Sequence, residues 1–192
     1  MKENELPYII VKKLLIYDPE TGELFWKYRN RIWFPSFKAW KTWNLQNMGR
    51  LAGTEVANRD TGVYIQVSLF KKRYYAHRLA YLLMTGEWPE NLIDHEDNNG
   101  LNNKWKNLRD STVAQNAQNH NKRRTKKSTK YKGVMVHHNK HYRETGIPNK
   151  WTAYIGVEGE YKYLGLFDDP KKAYEAYKKA AKKYHGKFAR TE

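Results

Sequence analysis

Between Val63 and Leu69 the chain alternates. Val63, Ile65, Val67 and Leu69 are apolar, with Tyr64, Gln66 and Ser68 between them. A period of two is that of a strand buried on one face. Lys71-Lys72-Arg73 makes the turn that follows, and Tyr74–Ala76 pairs back. The period then changes to that of a helix. Leu79, Leu82 and Leu83 give an apolar face from about His77 to Thr85, and Gly86 stops it. Upstream, Ile10, Leu14 and Tyr17 recur at three- to four-residue spacing, which predicts a short amphipathic helix within residues 1–17. Asp18–Gly22 is a turn and Glu23–Tyr28 a strand. Residues 29–50 carry Trp33, Phe34, Phe37, Trp40 and Trp43 among Arg31, Lys38 and Lys41 without a clean period. They read as an insertion or loop, with DNA contact as one use of the aromatics and core filling as the other. Downstream, Asp97-Asn98-Asn99-Gly100 is a turn signal. Thr112-Val113-Ala114-Gln115 is a Thr-x-x-Gln capping box, so a helix starts there.

Charge changes the picture next. Lys plus Arg is 36 and Asp plus Glu is 20, a formal net charge of +16. Such a balance is the footprint of a polyanion binder, although ribosomal and membrane-surface proteins share it. Five of the six residues from Lys122 to Lys127 are basic (Lys122, Arg123, Arg124, Lys126 and Lys127) and none is apolar. This run reads as a linker or arm whose phosphate contacts would be sequence-neutral and sensitive to salt. Seven Trp and 15 Tyr can stack on bases or pack beneath a small core. The absence of cysteine removes disulfides, thiolate catalysis and Cys-based zinc fingers together. No stretch reaches the roughly 20 apolar residues of a membrane helix. The start, MKENELPYIIVKKLL, is interrupted by Glu, Pro and Lys and is not a secretory leader. The expected location is cytoplasmic, in a bacterial host or as a phage-encoded product.

Candidate chemistry gathers between Ile93 and Asn121. Asp94 and His95 are adjacent, and Asn116 lies 22 positions past Asp94 (116 − 94). A carboxylate and an amide oxygen suit a hard divalent cation. An imidazole suits proton transfer from water. Asn107 falls twelve positions past His95 (107 − 95) and nine before Asn116 (116 − 107). With the flanks HRLAYLLMTGEWP at 77–89, IDHEDNNGLNN at 93–103 and NLRDSTVAQNAQN at 107–119, this pattern resembles an HNH endonuclease of the phage and intron-homing branch.

The resemblance implies a ββα-metal hairpin (the His-Me finger). His95 would be the general base and Asp94 and Asn116 the metal ligands. Asn107 would pin the loop that orients His95. One Mg²⁺, replaceable by Mn²⁺, would be the cofactor. Arg109 either reaches a phosphate or pairs with Asp110. His77 is a second candidate for chemistry, with structural use the favoured reading, and a part for His120 is left open.

Residues 128–192 form a second unit. Tyr131–Val134, Lys150–Ile155, Tyr163–Phe167, Ala173–Tyr177 and His185–Ala189 resemble an AP2 DNA-binding domain. The resemblance implies three antiparallel strands backed by one helix. Trp151, Ala153 and Ile155 would face inward, and Thr152, Tyr154 and Gly156 outward. Ala173, Tyr177, Ala180 and Tyr184 would form the helix's packing stripe. The DNA-facing positions would be Lys132, Met135, His137, Tyr154, Gly156, Tyr161 and Tyr163. Several are not the arginines of the plant members, so stacking, phosphate contact and shape readout are expected above guanine contacts.

The expected whole is an α+β chain. Residues 1–121 form the nuclease domain, 122–127 the basic linker and 128–192 the AP2-like domain. The expected activity is nicking hydrolysis of double-stranded DNA by a monomer. The rivals are a non-cleaving DNA-binding regulator with a decayed nuclease module and, on charge and aromatics alone, an RNA-binding protein.

Overall fold

Helix α1 (Tyr8–Leu14) and helix α3 (Ala76–Thr85) meet through the apolar residues that the spacing picks out. Val11, Leu14, Leu15, Leu24, Val67, Leu69, Leu79 and Leu82 are buried together. Each fully buried aliphatic side chain contributes about 1.5–3 kcal/mol. The structure, a computed structural model, describes residues 6–58, 62–119, 130–137, 150–189 and 191. It is a mixed α and β chain in two compact units, Met1–Ser111 and Thr112–Glu192. The basic run 122–127 and His120 lie outside the described residues. Among those described, no helix is long and apolar enough to cross a membrane.

In the first unit, α1 ends earlier than its spacing predicts. Leu15–Tyr17 is strand β1, which pairs antiparallel with β2 (Leu24–Trp26). Pairing with β2 takes these residues out of the helix and leaves Ile16 exposed. Residues 29–50 are not a loop throughout, because Phe37–Asn47 forms helix α2. Strands β3 (Thr54–Asn58), β4 (Gly62–Leu69) and β5 (Lys72–Tyr75) make an antiparallel sheet in that order. The alternation in β4 buries Val67 and Leu69, while Val63 at the far end is exposed.

Helix α3 has two apolar sides. Ala76, Leu79 and Leu82 enter the main core. Ala80 packs with Ile93 and Leu108, and Tyr81 and Trp105 lie against them. Ile93 and Leu108 belong to a two-stranded hairpin, β6 (Leu92–His95) and β7 (Leu108–Ser111). Gly86 ends α3 in the left-handed conformation, and its N–H donates to the Leu82 carbonyl at 2.8 Å.

The second unit begins with helix α4 (Val113–Asn119). The capping box is formed in full. The Gln115 N–H donates to Thr112 Oγ1 at 3.2 Å, and the Thr112 N–H donates to Gln115 Oε1 at 2.9 Å. Strands β8 (Val134–His137), β9 (Lys150–Val157) and β10 (Glu160–Phe167) form an antiparallel sheet with β9 central. Helix α5 (Pro170–His185) starts at Asp169, whose carboxylate accepts from the Lys171 and Lys172 N–H groups. Ile155 packs with Tyr177, Ala180 and Ala181, and Ala153 with Ala173 and Val134.

One expectation fails in this unit, and one outward residue is covered. Tyr184 is exposed, and the buried stripe runs through Ala181 and His185 instead. Thr152 faces away from α5 but is buried. It sits on the central strand between Met135 and Leu166, which cover it from both sides.

The turn between β1 and β2 makes a close backbone approach to residues 103–104. Gly22 has φ +80°, and a Cβ there would run into the Lys104 N and the Asn103 carbonyl carbon. Gly22→Ala is expected to destabilise the protein by about 2–3 kcal/mol, through both the positive φ and this clash. Urea unfolding would check it, and a loss under about 0.5 kcal/mol would show that the turn and the 103–104 backbone do not press on each other.

Candidate active site

The β6–β7 hairpin places Asp94 opposite Arg109 and His95 opposite Leu108. Cross-strand partners point to the same face, so the carboxylate and the guanidinium meet. Arg109 donates from Nε at 2.9 Å to Asp94 Oδ2, and its Nη2 lies 2.8 Å from the same oxygen. Its Nη1 lies 4.0 Å from the Glu96 carboxylate. Arg109 therefore spends two of its nitrogens on Asp94. It anchors Asp94, which is buried.

His95 points to the opposite side of the strand and is also buried, at 5% exposure. Its Nε2 lies 3.1 Å from Asn103 Oδ1. Asn103 is 1% exposed. Tyr17 holds it from below, donating its hydroxyl to the Asn103 carbonyl at 2.7 Å. Burial pushes the His95 pKa below the ordinary histidine value, against the opposing pull of Asn103, Asp97 and Asp94. The imidazole is therefore neutral at physiological pH.

Asn107 ties the loop between the strands. Its Nδ2 donates to Asp97 Oδ1 at 3.0 Å and to the Asn102 carbonyl at 2.7 Å, and its Oδ1 accepts from the Asp97 N–H at 3.1 Å. Its backbone carbonyl accepts from Glu96 at 2.9 Å. Burial acts to raise the Asp97 pKa. Hydrogen bonds from Asn102, the Asn99 amide and Asn107 outweigh it and hold Asp97 below the usual carboxylate range.

His77, in the first turn of α3, stacks on Tyr75 at 5.3 Å and meets the His95 ring edge-on at 5.0 Å. Tyr64 closes the group, 5.8 Å from His77 and 6.0 Å from His95. Burial, then His95 and Arg78, push the His77 pKa down to about 3. Its Nδ1 is buried without a hydrogen-bond partner.

Asn103 was not singled out by its residue pattern. It sits in the run Asn98-Asn99-Gly100-Leu101-Asn102-Asn103, where turn chemistry accounts for every asparagine. Its burial beside His95 depends on contacts with Tyr17 and the 18–22 turn, more than 80 positions earlier, which no local pattern reports.

Asn116 lies in α4 of the second unit, half-buried, and its N–H donates to the Thr112 carbonyl at 2.9 Å. Among the described residues, no group of three or more His, Cys, Asp or Glu lies together in a way that would hold a metal.

Strand register shows how the candidate DNA-contacting residues of the second unit lie. Tyr154 pairs with Tyr163, Gly156 with Tyr161, Thr152 with Met135, and Lys150 with His137. Met135, His137, Tyr154, Gly156, Tyr161 and Tyr163 therefore share the face opposite α5. Tyr161 is 83% exposed, and the Tyr154 and Tyr163 rings sit 5.5 Å apart. Lys132 differs: its Nζ donates to the Gln118 carbonyl at 2.6 Å, at the end of α4. Lys122, Arg123, Arg124, Lys126 and Lys127 lie outside the described residues.

Residues 74–118 match the family model described as HNH endonuclease. The matched segment runs from the end of β5 into α4 and holds Asp94, His95, Asn107 and Asn116. The match supports a nuclease, and so an enzyme acting on DNA. No curated protein and no solved structure matches the chain.

His77 carries a consequence for stability. Unfolded, it titrates near 6.5; folded, it stays neutral down to about 3. Below pH 6.5 the unfolded chain takes a proton that the folded chain refuses, so stability falls with pH until the folded group also titrates. His77→Phe keeps the ring and removes the proton site. Its unfolding free energy, measured in urea between pH 6 and 4.5, is expected to fall less steeply than that of the wild type, by up to about 1.4 kcal/mol per pH unit. Parallel pH curves for the two proteins would mean that His77 is solvated.

Proposed function

We propose that this chain is a metal-dependent DNA endonuclease of the homing type. It joins a ββα-metal HNH module to an AP2-like sheet and nicks double-stranded DNA to leave 5′-phosphate and 3′-hydroxyl ends. The observation that carries the reading is the buried His95 imidazole, held on Asn103 within the segment that matches the HNH endonuclease model. With Nε2–H donating to the Asn103 amide oxygen, Nδ1 is the ring nitrogen that takes the proton of the attacking water. Desolvation keeps that nitrogen in its basic, uncharged form at physiological pH.

Asn107 holds the 97–102 loop through Asp97 and the Asn102 carbonyl, so Asn103 stays in place behind the ring. Arg109 fixes the Asp94 carboxylate by its Oδ2. Asp94 and Asn116 would hold one divalent ion. Their donors are hard oxygens, one of them charged, and a set of two protein ligands suits Mg²⁺, with Mn²⁺ able to substitute. When bound, the ion supplies charge stabilisation to the phosphate and to the departing 3′ oxygen. The hydrophobic contacts of Ile93 and Leu108 with Ala80 seat the hairpin on α3.

The tyrosine-lined sheet face and the basic run 122–127 would bind the duplex. Among the described residues, that face exposes Met135, His137, Lys150, Tyr161, Tyr163 and Leu166 and no arginine. Stacking, phosphate contact and shape readout fit such a surface better than bidentate guanine contacts do. One such site per chain cuts one strand.

The test is conversion of supercoiled plasmid to the open circle with Mg²⁺ or Mn²⁺. Wild type is expected to nick. His95→Ala is expected to lose at least about 100-fold in rate while its duplex affinity stays within about twofold. A wild-type protein that binds many duplexes and cuts none would be a non-cleaving regulator, and the nuclease reading would fall.

A further inference from the structure

The segment between β2 and β3 takes no part in the site described above. Within it α2 is built unlike the other helices of the first unit, since none of its residues is buried. Trp40, Trp43, Asn44 and Asn47 share one face at helical spacing, and the first three of these hold the helix. The Trp40 indole N–H donates to the Arg29 carbonyl at 2.9 Å, and Asn44 donates to the same oxygen at 3.1 Å. Asn44 Oδ1 accepts from the Arg29 N–H at 2.8 Å. The Arg29 guanidinium lies 4.0 Å from the centre of the Trp43 ring and 4.7 Å from that of Trp26. Ser36 caps the start, accepting from the Ala39 N–H at 3.1 Å. The helix is thus fixed in place by hydrogen bonds and stacking along one edge.

The other face carries Lys38, Lys41, Thr42 and Leu45, all exposed, with Leu45 at 73%. From Leu24 to Thr54 the chain has six basic residues (Lys27, Arg29, Arg31, Lys38, Lys41 and Arg50) and no acid. Lys38 is in the first turn of α2, where a cation opposes the helix dipole by about 0.3–1 kcal/mol. This charge therefore weakens the helix that carries it, and no carboxylate in the segment balances it. A polyanion supplies the complement. An 11-residue helix with side chains is about 10–12 Å across, which matches the roughly 12 Å width of the DNA major groove.

We propose that the outward face of α2, with Lys38 and Lys41 at its centre, is a duplex-DNA docking surface of the first unit. It is additional to the sheet face of the second unit and to the basic run. The inference rests on the reading of the chain as a protein that acts on duplex DNA, and it does not depend on cleavage. Its contacts are to phosphate, so it adds affinity to any sequence and makes that affinity sensitive to salt.

The experiment is fluorescence anisotropy of a labelled random-sequence duplex with the full-length chain, in EDTA so that no strand is cut. Lys38→Glu/Lys41→Glu is compared with wild type and with Lys12→Glu/Lys13→Glu, an equal charge change on exposed positions of α1. The α2 pair is expected to weaken binding on the order of tenfold and to lower the slope of log affinity against log salt by about 2. The α1 pair is expected to change both much less, and circular dichroism is expected to show all three proteins folded alike. Equal effects from the two pairs would reduce the surface to net charge and overturn the proposal. So would an α2 pair that binds like wild type, even if that variant and the wild type nick plasmid normally. Single-stranded RNA that displaces the duplex from wild type, but not from the α2 variant, would assign the face to RNA instead. A wild type that binds no duplex at all would sink the underlying reading, and this would show before any variant is compared.

Discussion

The candidate site is organised around a contact 3.1 Å long, between the His95 Nε2 and the Asn103 amide oxygen. Both residues are buried, so each polar atom left without a partner there would cost about 1–3 kcal/mol. The surrounding structure keeps the pair closed from several directions. Tyr17 takes the Asn103 carbonyl, and the 18–22 turn lies against the 103–104 backbone, with the Trp105 N–H donating to the Pro19 carbonyl at 3.0 Å. Asn107 and Asp97 fix the loop from the other end. The β1–β2 hairpin, remote in sequence, is in this way part of the support of His95. Desolvation then sets the protonation state, because the same packing that orders the ring penalises its cationic form.

Local patterns were legible where one principle acted alone. The capping box at Thr112 formed as its spacing requires. The alternation of β4 buries Val67 and Leu69. Gly86 ends α3. The hairpin segment was found through its resemblance to the HNH endonucleases, a likeness that the match over residues 74–118 also carries. What stayed hidden was set by tertiary contact. Asn103 looked like one more turn residue. The pairing of Arg109 with Asp94 has no local sign, because only strand register brings the two together. Helix α2 leaves no hydrophobic period in the sequence, because its inner face is tryptophan and asparagine anchored on Arg29. Thr152 is buried by its strand neighbours and not by its own polarity.

The two units carry positive charge and aromatic surface differently. In the first unit, arginine and tryptophan stack on each other, and lysines stand outside them on an acid-free helix. In the second, one face of a three-stranded sheet presents tyrosines, and α5 packs on the other. A chain with a formal charge of +16 can bind DNA without sequence preference at many points. The hairpin differs in kind, since its polar groups are buried and paired. The exposed charge of the two units and the buried polar pairs of the hairpin are therefore separate physical resources within the chain.

The account is tested most directly by nitrogen-detected NMR of the His95 imidazole in protein labelled with ¹⁵N-histidine. Assignment would come from loss of the signal in His95→Ala. Near pH 6.5 the ring should be neutral and carry its proton on Nε2, with Nδ1 in the basic, unprotonated form. A proton on Nδ1, or an imidazolium at that pH, would contradict it, because Asn103 would then not be holding the ring in the state that a proton acceptor needs.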